Sequence, residues 1–130
     1  MAKIVRQSVV LPASAKELYA MYLSPKGHGA ITGGKVQIGS RPGSSFRAFG
    51  GALRGRTLQT VPGRLIVQSW RSTAFRNSDP DSTLIGFTPK GKQARVDLVH
   101  VNVPDHDYNG VNKGWKSYYW KPWRKVLAGR

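Results

Sequence analysis

The densest set of chemistry-bearing residues is Asp105-His106-Asp107, with His100 just upstream. Such a set could hold a metal ion or run an acid–base relay. Metal ligands must converge from rigid elements, however, and neighbours in a loop point their side chains apart. An activated serine would need a Gly-x-Ser-x-Gly elbow, which the chain lacks. The run therefore reads as loop acids beside a surface histidine, and no metal site or catalytic group is assigned. With no cysteine, disulfides, thiol nucleophiles and cysteine-based zinc sites are excluded.

Two glycine-rich stretches mimic nucleotide sites. Gly86-Phe87-Thr88-Pro89-Lys90-Gly91-Lys92 has P-loop spacing. Gln93 follows in place of Ser or Thr, and a strand follows where a helix N-terminus would hold phosphate. The segment reads as a hairpin turn. Gly27-His28-Gly29 begins like a dinucleotide fingerprint, yet Thr32 stands where the third glycine should be and a helix precedes it. No cofactor is expected.

Other residues point to a hollow. His100 shares a strand face with Val96 and Leu98, opposite Arg95 and Asp97. It can line a cavity or sit in the core bonded to a backbone carbonyl. Gln68 and Trp70 share a face with Ile66. Trp115, Tyr118 and Tyr119 lie on a helical apolar stripe and are expected to point inward. Gln68, Trp70, His100, Trp115, Tyr118 and Tyr119 thus form the candidate cavity, with His100 and Gln68 orienting a ligand between aromatic walls.

The elements that must position these residues are legible from punctuation. Residues 3–11 read as a first strand ending at Leu11-Pro12. Ser14-Ala15-Lys16-Glu17 fits a capping box, in which serine accepts from a helical amide and glutamate reaches back. The helix runs to about Leu23 and ends at Ser24-Pro25. Residues 28–34 have room for one further helical turn at most. Short β-type runs follow at 35–39, 45–50, 52–60, 64–71, 82–88 and 93–101. They are divided by Arg41-Pro42-Gly43, Gly50-Gly51, Val61-Pro62-Gly63, a polar loop at 72–81 and Pro89-Lys90-Gly91, the chemistry of hairpin turns. After a loop at 104–107, Val111, Trp115, Tyr118, Tyr119, Pro122 and Val126 recur at helical spacing, with a kink expected at Pro122. A long one-sided helix must bury its stripe against the concave face of the sheet.

Length and charge bound the rest. At 130 residues the chain is read as one domain, residues 1–130. Ala13-Ser14-Ala15 mimics a signal-peptidase site, but Val9-Val10-Leu11 is far shorter than the roughly 7–15 apolar residues of a signal core. No run reaches the ~18 apolar residues of a membrane span, so the cytoplasm is expected. Lys plus Arg is 21 against 6 Asp plus Glu, a formal net charge of +15. That balance favours anionic partners. Lys113, Lys116, Lys121, Arg124 and Lys125 form a basic outer helix face that could meet an acidic protein, or nucleic acid without sequence preference.

An ordered set of motifs resembles the START-like (SRPBCC) superfamily, specifically the AHSA-type homologues of the activator of the heat-shock-protein ATPase. The carriers are residues 13–19 (ASAKELY), 32–34 (TGG), 62–71 (PGRLIVQSWR), 82–84 (STL), 100–104 (HVNVP) and 114–123 (GWKSYYWKPW). They span nearly the whole chain. The resemblance implies an α+β helix-grip fold: a curved antiparallel sheet of about six or seven strands around a long C-terminal helix, with one or two short helices after the first strand. It also implies a cavity for lipids or other apolar molecules, or docking on a chaperone. Gly50-Gly51 stands where the family usually has an acidic residue, Phe75 where a second tryptophan is common, and relatives are typically more acidic. The expectation is a binding protein for an apolar or amphipathic small molecule. The alternatives are a chaperone-activator-like module meeting an acidic partner, a nucleic-acid binder or a cavity enzyme. An enzyme has few acid–base groups beyond His100 and tyrosine hydroxyls to draw on.

Overall fold

The computed structural model describes residues 2–73, 75 and 82–130. The first strand, β1 (Ala2–Leu11), buries Val5 and Leu11 and leads into α1 (Ala15–Leu23). Ser14 caps α1 by accepting from the Glu17 amide at 3.1 Å. The Glu17 carboxylate pairs with Arg130, tying α1 to the segment that follows the C-terminal helix. Ser24 closes α1 in an extended conformation and opens α2 (Pro25–Thr32), its hydroxyl accepting from the Gly27 amide at 3.1 Å. The region expected to hold one turn is thus an eight-residue helix. Ser24-Pro25 acts as a start signal as well as a stop, since proline suits the first helical position. Gly33, at φ 80°, ends α2 in the left-handed region.

The expected strand at 35–39 reduces to one bridge, Gln37 to Arg47. Val36 and Ile38 are nonetheless buried, so the segment is held by side chains more than by a ladder. Four strands follow: β2 (Ser45–Ala48), β3 (Leu53–Val61), β4 (Leu65–Ser69) and β5 (Arg71–Ser72). Trp70 interrupts what read as one strand, and β5 pairs back on β3. Gly55 lies so near that a Cβ there would stand 2.0 Å from the Ser69 carbonyl oxygen. Most of the expected loop at 72–81 lies outside the described residues. The hairpin of β6 (Ser82–Lys90) and β7 (Gln93–Pro104) turns at Gly91, φ 64°, so the P-loop mimic is a hairpin turn.

All pairings are antiparallel, in the order β1-β7-β6-β4-β3-β2. Across the closing helix, α3 (Tyr108–Trp115) passes into a π-helical turn (Lys116–Trp120) and then α4 (Lys121–Ala128). Val111, Trp115, Tyr119, Trp120, Trp123 and Leu127 are its buried residues. The expected stripe of Tyr118, Pro122 and Val126 is displaced by one residue. The cause is the wide turn, in which the Lys121 amide donates to the Lys116 carbonyl five residues back. Pro122 has no amide to donate, and the helix responds by widening one turn before it.

Candidate functional site

The concave face of the sheet carries a polar row beneath the helix. Thr57, Gln68, Thr83 and His100 sit opposite one another on β3, β4, β6 and β7, and all four are buried. Thr57 donates to the Gly39 carbonyl at 2.7 Å. His100 Nδ1 accepts from Trp115 Nε1 at 3.1 Å, which leaves the ring proton on Nε2. Gln68 Oε1 accepts from the Tyr22 hydroxyl. Gln68 and His100 therefore hold Tyr22 and Trp115 from behind.

A second buried cluster joins the two short helices to the long one. His28 Nδ1 lies 2.8 Å from the Tyr22 carbonyl, which can only accept, so Nδ1 donates. Nε2 then accepts from the Tyr119 hydroxyl at 2.9 Å. Burial pushes the His28 pKa down to about 4, against a weaker opposing pull from the Tyr22 carbonyl. Burial also pushes the Tyr119 and Tyr22 phenols upward, with Tyr119 adding to the rise at Tyr22. Both partners are thus neutral near pH 7, and the bond fixes a helix rather than moving a proton. Sequence reasoning passed over His28 and Tyr22. Their partners lie 91 and 46 residues away, so no local spacing announces them.

In front of these layers opens a pocket of about 410 Å³. Its walls include Phe49, Trp70, Trp115, Tyr118 and Tyr119, with Asp107 among the lining residues. Trp70 and Trp115 stack at 6.1 Å between ring centroids, and Trp115 meets Tyr119 at 4.7 Å. Of the six expected cavity residues the structure brings four to the wall: Trp70, Trp115, Tyr118 and Tyr119. Gln68 and His100 are not among the lining residues. Tyr118, expected inward, is instead 60 % exposed; the wide turn swings it out to the rim, against Phe49 at 5.5 Å. Gly110 and Gly114, also lining, leave gaps on α3 between the lining side chains of Asp107, Val111 and Trp115.

Asp105 and His106 stay at the surface on a 3-10 turn, where Lys3 holds the Asp105 carboxylate at 3.1 Å and keeps its pKa below the usual range. Among the described residues no three His, Asp or Glu converge as a metal site would require. All five predicted basic residues are exposed. Lys116, Lys121, Arg124 and Lys125 line a separate groove of about 510 Å³ between β1 and the helix, and among the described residues no acidic one lines it. No helix among the described residues is long and apolar enough to cross a membrane.

Sheet, short helices and gripping helix together define the helix-grip fold. The family model described as Activator of Hsp90 ATPase homolog 1-like protein matches residues 12–127, and the chain belongs to that family. An HSP90 activator from Plasmodium falciparum superimposes with a TM-score of 0.87 at 15 % identity, covering 96 % of each chain. A protein of Chromobacterium violaceum does so at 0.76 and 25 % identity, covering 95 % of this chain and 96 % of the other. The "Activator of 90 kDa heat shock protein ATPase homolog" of Dictyostelium discoideum is 25 % identical over 104 residues, 79 % of this chain. The chain spans only 27 % of that relative's length.

Proposed function

We propose that this chain works as a single domain that binds an apolar or amphipathic small molecule, without turnover, in the pocket between α3 and the β3–β5 corner. The observation that carries this reading is an aromatic-walled pocket left open by two glycines on its helix. Glycine in a helix interior costs about 1 kcal/mol relative to alanine, so Gly110 and Gly114 are poor choices for holding α3 together. A Cβ at Gly114 would meet only the Tyr118 ring, at an ordinary 3.7 Å. Packing therefore does not demand glycine there, whereas an open pocket does. Gly114→Leu should keep or raise the melting temperature while weakening a hydrophobic fluorescent probe by about tenfold or more, the equivalent of ~1.4 kcal/mol. Unchanged probe affinity in a folded Gly114→Leu protein would remove the reading.

Family membership and the basic groove favour a second reading, a module that docks on an acidic protein partner as chaperone activators do. It predicts that this chain stimulates the ATPase of a 90 kDa heat-shock protein at about 0.3 M salt, where the Debye length is only ~5–6 Å. Lys121→Glu combined with Arg124→Glu should abolish the effect. Steep salt dependence on any nucleic acid, with no chaperone response, would instead mark a non-specific polyanion binder.

A further inference from the structure

We infer that the ligand of the aromatic pocket carries a positive charge, as a quaternary or protonated amine; the inference rests on the small-molecule reading above. Asp107 supplies the first observation. Among the described acids, Glu17 pairs with Arg130, Asp97 with Arg95 at 3.0 Å, and Asp105 with Lys3 at 3.1 Å. Asp107 alone of these has no hydrogen-bond or ion-pair partner among the described residues. In a chain with 21 Lys and Arg, a carboxylate left without a cation stands out. It occupies the N-cap position of α3, yet its side chain makes no capping hydrogen bond. It lines the pocket instead, where it is the one Asp, Glu, Lys, Arg or His among the described lining residues.

The walls supply the second observation. Phe49, Trp70, Trp115, Tyr118 and Tyr119 present aromatic surfaces around one volume. A cation within about 6 Å of such a ring gains roughly 0.5–2 kcal/mol from the quadrupole, most with tryptophan. Burial pushes the Tyr119 phenol upward, so Tyr119 adds ring and no competing charge. The chain's net charge of +15 opposes a cation at long range. At physiological salt that field is screened beyond about 8 Å, and inside the pocket Asp107 and the rings are the nearest groups. Contact therefore wins over the distant field.

Three probes of near-equal shape test this: para-hydroxyphenyl-trimethylammonium, para-tert-butylphenol and para-phenolsulfonate, titrated against tryptophan emission and by calorimetry. The ammonium should bind about tenfold or more tightly than the tert-butyl isostere, and the sulfonate weakest, a gap of ~1.4 kcal/mol or more. Asp107→Asn should cost the ammonium most of that preference. If tert-butylphenol binds as tightly as the ammonium, or Asp107→Asn leaves the preference intact, the charge assignment is wrong and the pocket reading survives. If none of the three binds, both fail together.

Discussion

Acidification from pH 7 to pH 4 is expected to remove about 3 kcal/mol of folding stability through His28 alone. Burial holds the ring's pKa at about 4 in the folded chain, against its ordinary value of 6.5 when unfolded. Between these values the unfolded state takes up a proton that the folded state refuses. The stabilisation is therefore complete above pH 6.5 and is lost progressively as pH falls to about 4. Exposed carboxylates act at lower pH; Asp105, held down by Lys3, loses its contribution only as pH drops through its depressed pKa. Urea midpoints at pH 7, 6, 5 and 4 measure the slope. His28→Asn keeps a donor for the Tyr22 carbonyl but gives up the bond to Tyr119. It should be weaker at pH 7 and markedly flatter below it. An unchanged slope in that variant would show that another group drives the acid limb.

The largest single-residue effect should come from Trp115→Ala, at about 3–5 kcal/mol. The indole is almost wholly buried and touches Trp70, Tyr119 and Trp120. Its loss opens a cavity and also leaves His100 Nδ1, a buried acceptor, without its donor. With a typical total stability of about 5–15 kcal/mol, the alanine variant sits near the edge of folding. Trp115→Phe separates the two causes, because it keeps an aromatic wall and loses the N–H. It should cost about 1–3 kcal/mol, the penalty for a stranded buried polar group. Denaturant midpoints within about 0.5 kcal/mol of wild type, the range of surface changes, would contradict the placement of this residue.

The fold was legible because its signals are local. Leu11-Pro12, Ser14, Ser24-Pro25 and Gly91 each act through the φ angle or hydrogen bond of one turn, and the element boundaries at those positions follow. Trp70, Trp115 and Tyr119 were legible as pocket walls because large aromatics must bury. Gln68 and His100 were found inside, as their strand faces required, but one layer behind the pocket. The alternation of a strand gives the face and not the depth. Tyr118 failed for a different reason: helical periodicity assumes a constant repeat, and the repeat changes at Lys116. His28 escaped, and Asp107 read only as a loop acid, because their meaning lies in partners, distant for one and missing among the described residues for the other.

The wide turn at Lys116–Trp120 has the standing of an inserted residue. At 3.6 residues per turn, one extra residue rotates everything after it by about 100°. The helix therefore speaks to the protein in two phases. Before the turn it presents Gly110, Gly114 and Trp115 to the pocket; after it, Trp123 and Leu127 anchor the core beside α2. Wind that turn as plain α-helix with every residue kept and the second half would re-phase, bringing Pro122 and Val126 inward and turning Trp123 to water. The same composition would then encode a helix with no anchor.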